Sequence, residues 1–229
     1  MTTLSRRVLM ASALASAPFA AAVGVAQAAA PKPAAPTAAK SASRWPAAPG
    51  DMNLGNPQAP VHVVEYLSLT CSHCAEFNTQ VYPAFKARYI DTGRIYYTAR
   101  ELLTAPANVA AAGFLMARCN GGRRYFPIID QVLRSQPRWG TGQIKPVFLE
   151  IAKANGLTEA QFTACITDEA AGKALEGRLK YAVETDKVSG TPTFFVNGVL
   201  LKGDHVPTLA QIDTAIAEAL RGAKAKGGR

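Results

Sequence analysis

Val61-His62-Val63-Val64-Glu65-Tyr66-Leu67-Ser68-Leu69-Thr70-Cys71-Ser72-His73-Cys74 is the stretch on which the reading of this chain turns. Val61 to Leu69 is apolar, partly β-branched, and preceded by Pro60 and the Gly55-Asn56-Pro57 turn. It is therefore expected to be a buried central strand carrying one acid, Glu65. Two cysteines separated by two residues follow at once. After them Phe77, Val81, Phe85 and Tyr89 recur every fourth position, the apolar stripe of a helix. The cysteine pair is thus placed at a strand-to-helix junction. Pro83 should kink that helix, Gly93 should end it, and Arg94 to Arg100 should form a second strand.

Downstream, the pattern from Pro106 to about Lys187 is helical. Ala111, Leu115 and Cys119 are spaced by four, Gly121-Gly122 supplies a stop, and a short helix opens at Pro146 and ends at Asn155-Gly156. Thr158 and Gln161 have capping-box spacing ahead of Phe162, Cys165 and Ile166, and a further helix is expected from about Ala171 to Thr185. Thr191 to Leu201 is a hairpin in sequence form, two apolar runs joined by Asn197-Gly198. Leu209, Ile212, Ile216 and Leu220 mark a final amphipathic helix. The order strand, helix, strand, helical insertion, helix, hairpin, helix implies an α/β sandwich with a helical cap.

Upstream, residues 1–28 read as a removable export leader. Arg6 and Arg7 precede an Ala/Val/Leu-rich run from Val8 to Val25, and small residues around Ala26-Gln27-Ala28 suit a signal peptidase. Ser5-Arg6-Arg7-Val8-Leu9 also fits a twin-arginine signal, and an uncleaved membrane anchor is the alternative. Residues 29–50, rich in Ala and Pro, are expected to be a solvated tether, residues 51–222 the domain with its insertion at about 104–187, and residues 223–229 a basic tail. The 229 residues carry a formal charge of +9, or +7 without the leader. The basic residues are scattered, which argues for a solvated surface and against a nucleic-acid partner. No segment for pairing with a second copy stands out, so a monomer is expected. In an exported chain the even count of four cysteines suggests two pairs.

Disulfide exchange needs a thiolate that attacks, a second thiol that closes a ring, and a partner bond. At the first turn of a helix, Cys71 would meet free N–H groups and the positive end of the dipole, both of which favour ionisation. Cys74, one turn further in, should be more buried and less reactive. His73, beside the sulfur, is a candidate for stabilising the thiolate. No bound cofactor is required, because the cysteine pair itself carries the electrons. Zinc would need a second ligand pair, which neither Cys119 and Cys165 nor His62, His73 and His205 supply by spacing. A purely structural Cys71–Cys74 bridge would constrain little, and Cu(I) binding by Cys71, His73 and Cys74 remains open.

Cys71-Ser72-His73-Cys74 after a strand, a helical insertion, and Gly190-Thr191-Pro192 leading a hairpin together resemble the DsbA-like thioredoxin family over about residues 50 to 222. The resemblance implies a thioredoxin-like fold with an inserted helical cap. It also implies a cis Pro192 lying against the cysteine pair, with Thr191 presenting backbone to substrate beside Ser72. Glu65 matches the family's buried acid, which moves protons to and from the buried cysteine. The implied activity is oxidation of exported proteins with free cysteines in the periplasm, followed by reoxidation by a membrane quinone-linked partner of the DsbB type. A reductase or isomerase of the same fold, or a periplasmic copper-binding protein, is the alternative. Ser72 stands where the best-known members carry proline, which leaves the oxidising strength open. Cys119 and Cys165, on apolar helix faces of the cap, are candidates for a structural disulfide, although spacing cannot show contact.

Overall fold

The computed structural model describes residues 45–203 and 206–227. The leader, the tether as far as residue 44, His205 and the last two residues lie outside the described residues.

The strand β2 (His62–Leu67) is buried along its whole length at the centre of a five-stranded sheet. It pairs in parallel with β3 (Tyr96–Glu101), which pairs antiparallel with β1 (Met52–Gly55). On its other side β2 pairs antiparallel with β4 (Thr193–Val196), which continues into the edge strand β5 (Val199–Leu200). Asn197 and Gly198, both at positive φ, make the tight turn between β4 and β5. Strand β1 is absent from the reading of the sequence, where Gly55 serves only as a turn residue.

Alternation along β2 sorts its side chains. Val61, Val63, Leu67 and Leu69 enter the larger core cluster together with Cys74 and Phe77, while Val64 and Tyr66 enter a smaller one with Phe195 and Val188. Glu65 has the odd parity of the first set and so faces the side that holds the cysteine helix.

That helix runs from Ser72 to Ile90 as α1 (Ser72–Glu76), a π segment (Phe77–Val81), α2 (Tyr82–Phe85) and a second π segment (Lys86–Ile90). A residue repeated every four positions drifts about 40° around an ideal α-helix at each step. The wider π turns take up this drift and bring Phe77, Phe85 and Tyr89 into one core. Pro83 cannot donate a backbone bond, and the Asn78 carbonyl nearby accepts from Arg134 (3.2 Å). The expected kink is realised as π turns within a continuous helical run.

The cap comprises α3 (Ala107–Arg118), α4 (Tyr125–Ser135), α5 (Ile144–Ala154), α6 (Glu159–Ile166) and α7 (Glu169–Glu184). The capping box of α6 is formed by Thr158 and Gln161. Helix α4, which the sequence reading did not single out, carries a strong apolar stripe through Tyr125, Ile128, Ile129, Val132 and Leu133. A disulfide joins Cys119, at the end of α3, to Cys165 of α6, with 5.8 Å between the Cα atoms. Helix α8 (Leu209–Gly227) packs Ile212 and Ile216 into the larger core and takes in most of the segment expected to be a basic tail.

The end of the expected tether, though largely exposed, is anchored to the domain. Trp45 stacks on Phe195 (4.4 Å between centroids) and donates to Asp186 (3.1 Å), while the Pro46 carbonyl accepts from Arg100 (2.7 Å). Arg100 also pairs with Asp51 and Asp186, and Glu101 accepts from both Arg118 and Arg178. These buried ion pairs provide partners that the Ala/Pro composition of the segment did not reveal, and they join the incoming chain to β3, α3 and α7.

Candidate active site

Cys71 is the N-cap of α1, in extended conformation (φ −81°, ψ 122°), and Cys74 lies one turn in. Both are free thiols; Cys71 is half-buried and Cys74 is fully buried. The Thr191–Pro192 peptide is cis and brings the loop before β4 against the nucleophile, so that the Cys71 thiol donates to the Thr191 carbonyl at 3.2 Å. In this thiol form the Thr191 hydroxyl is buried and has no hydrogen-bond partner among the described residues. The Thr191 side chain is among the groups that favour the ionised sulfur.

The two sulfurs have opposite acidities. Cys71 is lowered from 9.0 to about 5, chiefly by hydrogen bonding from Cys74, against the opposing cost of burial, with further donation from Thr191 and from the backbone N–H groups of Cys74 and His73. Cys74 is pushed well above 9.0, first by burial, then by the neighbouring Cys71 and by Glu65. The Ser68 N–H points at the Cys74 sulfur from 3.5 Å. The backbone N–H of His73 is among the groups that lower Cys71, and its side chain is exposed at the same turn. Ser72 is likewise exposed, at the first helical position.

Glu65 lies on the central strand, not at a sheet edge, and is only 4% exposed. Burial raises its carboxyl from 4.5 to about 8, and donation from the Tyr97 hydroxyl (2.5 Å) partly offsets this. At neutral pH Glu65 is mostly protonated and close enough to Cys74 to bias its ionisation. Cys71, Cys74, Glu65, Thr191 and Pro192 therefore share one site, whereas Cys119 and Cys165 form their own bond in the cap.

Sequence reasoning missed two contributors. Tyr97 reaches Glu65 from β3, and only strand alternation across a sheet of known order would have paired them. Gln136, just beyond α4, donates through one nitrogen to the carbonyls of Leu69 (2.9 Å) and Cys71 (3.1 Å), tying the cap to the nucleophile's loop. Nothing in the local sequence marks that glutamine. Among the described residues no group of three or more His, Cys, Asp or Glu side chains is placed to hold a metal ion.

The profile of a family described as thioredoxin matches residues 47–218, three quarters of the chain and all of this site. The chain belongs to the thioredoxin family, in its DsbA-like branch. A Rickettsia bellii relative that bears the name of a protein-disulfide oxidoreductase is 33% identical over 171 residues, covering 73% of this chain and 65% of the relative. The DsbA-like chain thus spans just under two thirds of the length of such relatives. The crystal structure of Wolbachia pipientis alpha-DsbA1 superposes with a TM-score of 0.68 at 27% identity, covering 79% of this chain and 96% of that one. Oxidised BdbD from Bacillus subtilis has a TM-score of 0.68 at 20% identity, covering 79% and 98%, and shares the fold. The DsbA-like site thus sits on the expected thioredoxin fold with its helical insertion.

Proposed function

We propose that the chain is a thiol–disulfide oxidoreductase acting as a dithiol oxidase on exported proteins. One observation carries this reading: within a single turn of helix, Cys71 is a strongly stabilised thiolate and Cys74 a strongly disfavoured one. A thiolate that is easily formed is a good leaving group, and a dithiol stabilised in this way makes the corresponding disulfide oxidising. A substrate thiolate attacks Cys71 Sγ, the Cys71–Cys74 bond breaks, and Cys74 leaves as a thiolate that takes its proton from Glu65. A second substrate thiolate then attacks the substrate sulfur of the mixed disulfide, and Cys71 leaves as a thiolate. Two electrons have passed to the enzyme.

The half-exposed Cys71 beside a cis-proline loop suits an extended substrate strand, since the Thr191–Pro192 backbone lies at the reacting sulfur. The expected export leader supports a periplasmic setting, and reoxidation would fall to a membrane quinone-linked partner. No helix among the described residues is long and apolar enough to cross a membrane.

Equilibration of the mature protein with a glutathione redox buffer, with Cys71→Ser as control, tests the direction. A Cys71–Cys74 disulfide more oxidising than the glutathione pool is expected. One that persists in reducing buffer would assign a reductase and sink the oxidase. Titration of thiolate absorbance should give a midpoint near 5.

A further inference from the structure

Behind the cysteine pair a small cavity of about 20 Å³ is lined by Glu65, Tyr97, Tyr82, Asn78 and Asp130 among apolar side chains. Its volume suits a single water, and the polar groups set in its otherwise apolar wall offer such a water the partners it needs. Asp130 belongs to α4 of the cap and its side chain is 35% exposed, so the cavity links the buried acid to a carboxylate in contact with solvent. Asn78 stands one helical turn beyond Cys74 and donates to Asp130 (2.8 Å). Arg134 holds the same oxygen (2.9 Å) and fixes the carboxylate at the mouth.

We propose that Asp130 is the port through which the proton of Cys74 reaches solvent, by way of Glu65 and the cavity between Tyr82 and Asn78. The inference rests on the oxidoreductase reading. When the dithiol is reoxidised, the Cys71 thiolate first forms a mixed disulfide with the oxidant. Cys74 then passes its proton to the Glu65 carboxylate, and its sulfur lone pair forms the bond to Cys71 Sγ. The bond from Cys71 to the oxidant sulfur breaks, with its electron pair leaving on the oxidant as a thiolate. A Glu65 that has rebound a proton from solvent after the reductive half must shed it before it can accept the one on Cys74, and from the centre of the sheet the cavity gives that proton an exit. Reduction runs the same path inwards.

The groups that face this path are Cys74 from α1, Tyr82 from α2, Tyr97 from β3, and Tyr125 and Arg134 from α4. Asp91, just past the second π segment, acts on Tyr82. Both cavity tyrosines are held above 10.0, so they remain neutral donors across the working range.

A relay alters rates and leaves equilibria alone, which gives the test its edge. The dithiol form is oxidised with oxidised glutathione at pH 6 to 9, and the lifetime of the glutathione–Cys71 mixed disulfide is read by acid quench and mass spectrometry. Asp130→Asn should lengthen that lifetime on the order of tenfold near pH 7, toward the low end of what general acid–base assistance supplies. Asp130→Glu should restore it, and the glutathione equilibrium of both variants should match that of the unaltered protein. A lifetime for Asp130→Asn within twofold of the unaltered protein, while Glu65→Gln lengthens it, would remove the port and leave Glu65 in place. An equilibrium shifted as far as the rate would assign Asp130 a purely electrostatic effect and overturn the relay. If Glu65→Gln also left the lifetime unchanged, the whole route would fall, while the glutathione equilibrium would still report on the oxidase reading by itself.

Discussion

Glu65 shows how much one buried residue sets. Its folded value near 8 lies above the ordinary 4.5, so its contribution to stability is fully present below pH 4.5 and is lost as pH rises through 8. Glu65→Gln, which keeps an acceptor for Tyr97, should therefore raise Tm at pH 8 and change it little at pH 4.5, as calorimetry at the two pH values would show. Cys71 runs the other way. Its depressed value contributes stability to the dithiol form that is fully present above 9.0 and lost as pH falls through 5. The position of Cys71 was legible in the sequence, because an apolar run followed by Cys-x-x-Cys fixes a strand and a helix start, whereas the role of Glu65 beside Cys74 came from the family resemblance. Tyr97 and Gln136 were not legible, because each arrives from an element whose neighbours depend on sheet order or cap packing.

Among the elements, the cap helices other than α4 were visible by their stops and capping box, but how they press on the site was not. Gly113 of α3 is a case in point: a Cβ there would come within 2.6 Å of Leu69 Cδ1, at the end of the run that delivers Cys71. Gly113→Ala should destabilise by about 2 kcal/mol through overpacking, measured by urea unfolding, and should slow exchange at Cys71. The Cys119–Cys165 bridge spans 46 residues, and closing such a loop is worth about 4 kcal/mol in the chain-entropy account. Replacing both cysteines by serine should lower the denaturant midpoint accordingly and leave the acidity of Cys71 as it is. The π turns around Pro83 went unseen because a four-residue apolar repeat reads as plain α-helix. Only the burial of the whole row shows that the helix has been widened.

At the scale of the molecule, the join between the incoming segment and the sheet was the largest departure from expectation. Composition marks Trp45 to Gly50 as linker, yet Asp186, buried just ahead of the cis-proline loop, accepts from Trp45, Tyr66 and Arg100 together. Trp45→Ala removes both the ring stack and the Asp186 bond and should cost about 2 kcal/mol by thermal or urea melting. The same arrangement makes the chain its own two-channel emitter. Its only two indoles are Trp45, against Phe195 of the sheet, and Trp139, packed on Phe148 of the cap three residues beyond Gln136. Fluorescence from a Trp139→Phe protein sees only the sheet end, and that from a Trp45→Phe protein only the cap. Because Glu101 of β3 is bonded to arginines of α3 and α7, the two signals should fade at one temperature, as a single cooperative unit.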